Sequence, residues 1–232
     1  MIIYPVTSVS NFFKDPKEVV KLSKKLTYTK DITGSWPGVR TDNVANINYN
    51  FFRKTILSVL SLYYSGSDPV EFDNTYLFFH KIKPYASSRT DRRNIGWIHQ
   101  DQCSLGGIIY LNKTALPESG TSLYTQKGVI KNKKDIKTKV DFFKDGKIDL
   151  KEYKKRQLDL ESKFIKTHTF QYTYNTLVAF DGDQWHACDN YCANTKEERL
   201  SLVFFIHKIK ASDTPKMRLD YIQAQEVFKN KA

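Results

Sequence analysis

A histidine and an aspartate lie two residues apart at His99-Gln100-Asp101, the only His-x-Asp in the chain. On a β-strand, residues two apart project to the same face. An imidazole and a carboxylate would then lie side by side. With a second imidazole they would form a set of two histidines and one carboxylate, which holds Fe(II) and leaves coordination positions open. We therefore take the pair as candidate iron ligands.

The candidate third ligand is His186. It follows an apolar run that ends at Phe180 and a polar turn, Asp181 to Gln184. A strand that runs into such a turn presents the next side chains at the edge of a sheet. The remaining histidines, His80, His168 and His207, do not follow a turn beside a strong strand.

A candidate anion-binding group comes near the end of the strand series. Arg199 begins an apolar run that ends at Ile206, and Ser201 would share its face. Arginine binds a carboxylate through two parallel hydrogen bonds, and a serine hydroxyl adds another donor. A charge on an apolar strand requires an anion nearby. Either a bound ligand or one of the acidic residues Glu197 and Glu198 could provide it.

Taken in order, these segments resemble the Fe(II)/2-oxoglutarate-dependent dioxygenases, in particular their prolyl 4-hydroxylase-like branch. The matching segments are His99-x-Asp101, Ile109-Tyr110-Leu111-Asn112, Ser119-Gly120-Thr121, Phe180-x5-His186 and Arg199-x-Ser201. The resemblance covers roughly Val6 to Ile209. It departs from the usual pattern in the long interval between Asp101 and His186, which a basic insertion lengthens.

The resemblance implies a double-stranded β-helix, Fe(II) as the metal, and 2-oxoglutarate and O2 as cosubstrates. It implies hydroxylation of a C–H bond, with succinate and CO2 released. The implied iron ligands are His99, Asp101 and His186. The implied cosubstrate residues are Arg199, which would pair with the distal carboxylate of 2-oxoglutarate, and Ser201 and Tyr110, which would donate further hydrogen bonds.

The pattern of elements predicts a mainly β protein with supporting helices (α+β) and a jelly-roll core. Two helices are expected first, one starting at Asp15-Pro16 and one over Tyr49 to Tyr63. Short strands separated by turn residues follow. The expected strands are Thr75–Ile82, Trp97–Asp101, Gly106–Asn112, Thr121–Tyr124, Thr167–Tyr174, Thr176–Phe180 and Arg199–Ile209.

Length and composition favour one domain over residues 1–232 in the cytoplasm. The chain has no long apolar stretch and no signal-peptide pattern at its start, so we expect no membrane association. Three cysteines without a CxxC fit reduced thiols. Zinc held by Cys188, Cys192 and His186 is a weaker alternative.

A Lys-rich, partly helical insertion is expected at about 127–166. This stretch supplies +7 of the formal net charge of +12. A capping box at Asp149 to Glu152 predicts a helix that runs to about Lys166. Residues 141–152 also resemble a calcium-binding loop, but Phe143 replaces one oxygen ligand. The insertion is interpreted as a solvated segment, with a surface that binds polyanions as the alternative.

The substrate is expected to be an amino acid, a peptidyl side chain or another small molecule. Arg40, in the loop that begins at Trp36, is a candidate to hold a carboxylate or phosphate of that substrate, and a plain surface arginine is the alternative. Two other functions remain open. One is a dioxygenase that acts on nucleic acid through the basic insertion, with binding that weakens steeply with salt. The other is a jelly-roll binding module without oxygen chemistry.

Overall fold

The computed structural model describes residues 4–64, 69–127, 149–192, 198–211 and 215. Within them, ten strands form two antiparallel sheets, with the orders β1-β8-β5-β10-β4-β3-β2 and β7-β6-β9. The strands are β1 Thr7–Val9, β2 Thr29–Lys30, β3 Val39–Arg40, β4 Glu71–Ile82, β5 Leu105–Tyr110, β6 Thr121–Gln126, β7 Phe164–Phe170, β8 Leu177–Asp181, β9 Trp185–Cys188 and β10 Arg199–Lys210. The expected class, mainly β with supporting helices, is confirmed.

Four α-helices accompany the sheets in the described residues. They are α1 Pro16–Lys24, α2 Val44–Ile47, α3 Tyr49–Leu60 and α4 Leu150–Glu161. The first begins as predicted, because the Asp15 carboxylate accepts hydrogen bonds from the N–H groups of Lys17 and Glu18 at 3.1 and 3.3 Å. None of these helices combines the length and the apolar character needed to cross a bilayer.

The larger sheet is buried on both faces along its central strands β5 and β8 and the first half of β10. Along β10, Leu202 and Phe204 pack with the side chains of the N-terminal helices, including Phe52 and Ile56 of α3. Val203, which lies between them and points the other way, contacts side chains that line the space between the two sheets. Because successive strand residues alternate in direction, Arg199 and Ser201 at the start of β10 point into that inner space.

The helix predicted within the Lys-rich segment packs against the core. Asp149 caps it by accepting the N–H of Lys151 at 2.9 Å. Its Tyr153 is buried and accepts a hydrogen bond from Trp97 Nε1 at 3.0 Å. Its Gln157 donates to the carbonyl of Ile95 at 2.9 Å. The helix therefore supports the segment that leads to His99. The rest of the insertion, 128–148, and with it most of the calcium-loop pattern, lies outside the described residues.

Two local predictions were wrong. The helix α4 ends at Glu161 and not near Lys166, because Phe164 pairs with Gln126 of β6 and packs against Trp185, with ring centroids 4.9 Å apart. The segment expected as a strand at Trp97 to Asp101 makes only one ladder pair, between His99 and His186. The end of α4 is set by the pairing of Phe164 with a distant strand. The Trp97 to Asp101 segment meets β9 only at His99, so it does not form a regular strand.

Candidate metal centre

Three side chains converge in one cavity. His99, Asp101 and His186 each offer one ligand atom, and these atoms lie within 4.8 Å of one another. Oδ2 of Asp101 is 3.4 Å from His186 Nε2, and Oδ1 is 3.7 Å from His99 Nε2. Such spacings are close to those of ligands about 2 Å from one common ion. The sequence-predicted set is therefore brought together in space.

The backbone fixes both imidazoles in the orientation that a metal requires. Nδ1 of His99 lies 2.8 Å from the carbonyl of Trp97, and Nδ1 of His186 lies 2.9 Å from the carbonyl of Gln184. A carbonyl only accepts, so Nδ1 is the donor in each of these contacts, and in the neutral ring Nε2 is then the nitrogen that can bind a metal. Nε2 is also the ring atom of each histidine that lies 3.4 to 3.7 Å from the Asp101 carboxylate. This donor set fits a divalent metal ion.

The three ligands are also tied together through the main chain. The N–H of His99 donates to the carbonyl of His186 at 3.0 Å, and the N–H of His186 donates back at 2.9 Å. The N–H of Asp101 donates to the carbonyl of Gly182 at 3.0 Å. A Cβ at position 182 would lie 1.8 Å from the carbonyl oxygen of Cys103. Glycine is therefore required where this turn crosses the Asp101 segment.

The zinc alternative gains no support from the described residues. The one group of three or more metal-ligating side chains found there is the His99, Asp101 and His186 set. The Cys188 thiol instead donates to the carbonyl of Asn190 at 3.3 Å. Cys192 is buried, and each of the cysteines carries a free thiol.

Arg199 lines the same cavity. Its side chain is only 2% exposed, and its Nε donates to the carbonyl of Ser119 at 3.0 Å. Its buried Nη2 has no hydrogen-bond partner among the described residues. Glu198 pairs with Lys83 at 3.4 Å and not with Arg199, and Glu197 is outside the described part. A buried guanidinium with an unfilled donor fits a carboxylate ligand.

Three hydroxyl groups on the strands near Arg199 differ in their hydrogen bonds. The Ser201 hydroxyl is fully buried and has no partner among the described residues. Tyr110, cross-strand from Ser201, donates to Thr121 Oγ1 at 2.8 Å. Burial raises the pKa of Tyr110, although Arg199 acts in the opposite direction. Thr121 lines the cavity and has its own hydroxyl proton left to donate. The sequence predicts Thr121 only as part of the Ser119-Gly120-Thr121 segment and indicates no role for its hydroxyl.

Arg40 lies in the same cavity and not on the outer surface. Its guanidinium carbon is 4.5 Å from the ring centroid of Trp36 and 5.5 Å from that of Phe205. Burial lowers its pKa to about 10, although the carboxylates of Asp101 and Asp31 act in the opposite direction. It is still a cation at neutral pH.

His80 is a further cavity residue that the sequence did not single out. Its Nε2 donates to the carbonyl of Pro37 at 2.6 Å, and it pairs across strands with Arg40. Burial and the neighbouring guanidinium of Arg40 hold the pKa of His80 well below its usual range. The neutral ring therefore anchors the loop that carries Arg40. In the sequence His80 precedes Lys81-Ile82-Lys83, a pattern that does not predict this anchoring role.

The cavity beside the candidate ligands has a volume of about 680 Å³. Its lining includes the three candidate ligands, Arg199 and Arg40, with the rings of Trp36, Trp97 and Phe205 among the rest. Asp101 is the one acidic side chain in that lining. A volume of this size fits a small molecule or a single side chain.

The chain is similar to solved structures, and only in fold. No protein-family model matches it, and a search of curated proteins gives no match. HygX from Streptomyces hygroscopicus, solved with nickel, 2-oxoglutarate and hygromycin B bound, has a TM-score of 0.51 at 10% identity, over 94% of this chain and 88% of HygX. A prolyl-4-hydroxylase from Pseudomonas putida gives 0.47 at 12% identity, over 88% and 92% of the two chains. The likeness to HygX and the two-sheet topology establish the expected double-stranded β-helix fold.

Proposed function

We propose that this chain is an Fe(II)- and 2-oxoglutarate-dependent dioxygenase of the superfamily that the sequence resembles. In this proposal it hydroxylates a C–H bond of an amino acid, a peptidyl side chain or another small molecule, and releases succinate and CO2. The observation that carries the proposal is the convergence of His99, Asp101 and His186 within 4.8 Å beside a cavity that also contains Arg199.

The protein residues divide into a metal-binding and a cosubstrate-binding group. His99 and His186 would bind iron through Nε2, and Asp101 would bind it through a carboxylate oxygen. Arg199 would pair with the distal carboxylate of 2-oxoglutarate, since its Nη2 has no partner among the described residues. Ser201 and Thr121 would add hydroxyl donors, and Tyr110 would hold the Thr121 hydroxyl in place at 2.8 Å.

The chemistry follows from this arrangement. When bound, Fe(II) with 2-oxoglutarate and O2 supplies the oxidising power to hydroxylate a C–H bond. Three ligands on one side of the metal leave coordination positions open toward the cavity. The carboxylate ligand favours hydroxylation over halogenation, since related halogenases have a small residue where Asp101 lies here. The aromatic lining would exclude water and position the substrate.

The cavity favours a small substrate over the two alternatives. A nucleic-acid substrate would need a basic surface leading to the site, and most of the Lys-rich segment proposed for that role is outside the described residues. A binding module without oxygen chemistry gives no reason for an intact ligand set beside a buried arginine. The free thiols support a cytoplasmic location.

The ligand assignment can be tested by spectroscopy without knowledge of the substrate. Anaerobic addition of Fe(II) and 2-oxoglutarate should give a weak visible charge-transfer band, because the oxo acid would chelate the metal. His99→Ala should abolish the band. His168→Ala is the matched control, since His168 is exposed on β7 and should leave the band intact. A band unchanged in the His99 variant would contradict the assignment. Succinate release with candidate substrates would then identify the reaction.

A further inference from the structure

Arg40 lines the same cavity as Arg199 but comes from a different strand. It lies on β3, which pairs with β4 through Arg40 and His80. Its guanidinium lies among three aromatic rings, with centroid distances of 4.5 Å to Trp36, 5.5 Å to Phe205 and 5.7 Å to Phe78. Ring faces stabilise a positive charge, which explains how this half-buried cation is tolerated.

The aromatic rings leave the hydrogen-bonding capacity of this group unfilled. Arginine has five N–H donors in one plane. In the part of the chain that the structure describes, the Arg40 side chain makes no ion pair, and its buried Nε has no hydrogen-bond partner. The indole Nε1 of Trp36, whose ring stacks on this guanidinium, is also buried without a partner there. Two neighbouring donors therefore lack an acceptor.

The charges of the proposed complex point to the same missing group. The two positive charges of Fe(II) are matched by the two negative charges of 2-oxoglutarate. The carboxylate of Asp101, which acts on the charge of Arg40, would be engaged by the metal. Asp101 is the one acidic residue of the cavity lining. Asp31, the other carboxylate that acts on the charge of Arg40, accepts hydrogen bonds from Thr33 and Ser35, so Arg40 has no ion-pair partner among the described residues. A buried cation without an anion is unfavourable, and a bound anion would relieve this cost.

We propose that Arg40 and Trp36 form the subsite for an anionic group of the substrate, so that the enzyme acts on small molecules that carry a carboxylate or a phosphate. This inference rests on the proposed function. Arg40 would bind two oxygens of the anion, and the Trp36 N–H would add a third hydrogen bond. The anion would be held against aromatic rings, while Arg199 binds the cosubstrate.

The subsite can be tested with matched probes. Benzoate, phenyl phosphate and neutral benzamide would be titrated into the protein loaded with Ni(II) and 2-oxoglutarate, and the melting temperature and tryptophan fluorescence would be followed. We expect saturable stabilisation by benzoate or by phenyl phosphate and none by benzamide. Whichever of the two anions binds more tightly identifies the group as a carboxylate or a phosphate.

Two variants make the outcome decisive. Arg40→Met keeps the bulk of the side chain and removes its charge and donors, so anion binding should weaken by about 10- to 100-fold. Arg53→Met removes a charge from an exposed position on α3 and should bind the probes as the wild type does. Equal affinities in the Arg40 variant and the wild type, or no saturable response of the wild type to either anion, would overturn the subsite.

A parallel measurement separates this inference from the proposed function. The charge-transfer band with Fe(II) and 2-oxoglutarate should persist in Arg40→Met and disappear in Arg199→Met. Loss of the band in the Arg40 variant would place Arg40 in the cosubstrate site and overturn the subsite. If the wild type forms no band, the proposed function has failed, and the same probe titrations on the metal-free protein decide whether Arg40 binds anions.

Discussion

Each candidate imidazole is oriented by a carbonyl that lies two residues before it in the chain. Trp97 serves His99 in this way, and Gln184 serves His186. Because each hydrogen bond joins residues two apart in the chain, local backbone geometry alone orients Nε2 toward the proposed metal position. The ligands are therefore preorganised by local backbone geometry, and the long-range step is only the pairing of their two segments.

Gly182 is the residue at which that pairing is most sensitive. Gly182→Ala should destabilise the protein by about 1–3 kcal/mol, because the new Cβ would lie 1.8 Å from the carbonyl oxygen of Cys103 and force the backbone apart. Since Asp101 donates its N–H to the Gly182 carbonyl, iron affinity should fall as well. Urea denaturation and anaerobic Fe(II) titration measure the two effects.

The control for this substitution lies in the same turn. Asp183→Ala changes the next, exposed residue without adding a Cβ, and it should retain both iron binding and most of the stability. A Gly182→Ala protein as stable as the wild type, with unchanged iron affinity, would show that the turn does not hold Asp101.

Single residues were predictable from the sequence where a short motif defined them. The His-x-Asp pair and the histidine after a turn carry their signal locally. The individual roles of Thr121 and His80 could not be predicted, because they arise from neighbours on other strands: Tyr110 holds the hydroxyl of Thr121, and His80 anchors Pro37.

Helix α4 is the element whose role differs most from its appearance in the sequence. It belongs to the most basic stretch of the chain, which suggested a solvated insertion. Its Tyr153 is nevertheless 1% exposed and bonds to Trp97, the residue whose carbonyl orients His99. Charge composition describes the outer face of a helix and gives no information on what the inner face packs against.

Removal of one hydroxyl tests this support. Tyr153→Phe should lower the free energy of unfolding by about 1–3 kcal/mol, because it leaves the buried Trp97 Nε1 without its acceptor. Iron affinity should decrease with it. Leu158→Ala, on the exposed side of the same helix, should change both quantities little. Equal effects of the two substitutions in thermal or urea unfolding would contradict the proposed support.

Element boundaries followed the sequence where caps defined them. Asp15 and Asp149 each begin a helix by accepting backbone N–H groups, as predicted. The end of α4 and the irregular segment around His99 could not be predicted, because both depend on which distant strand the chain meets.

At the scale of the whole molecule, the site lies between segments that are far apart in the chain. Arg40, Asp101, His186 and Arg199 come from four separate segments of the chain and line one cavity. The resemblance to known dioxygenases placed three of them in a common site, with Arg40 as a substrate candidate. The aromatic surroundings of Arg40 could not be predicted, since Trp36, Phe78 and Phe205 meet only after the sheet has formed.

The most direct test of this account is a crystal structure of the protein with Ni(II) and 2-oxoglutarate, collected at the nickel absorption edge. We predict one anomalous peak at about 2 Å from Nε2 of His99, Nε2 of His186 and a carboxylate oxygen of Asp101, with the distal carboxylate of 2-oxoglutarate on Arg199. A peak at Cys188 or Cys192, or an oxo acid bound away from Arg199, would contradict it.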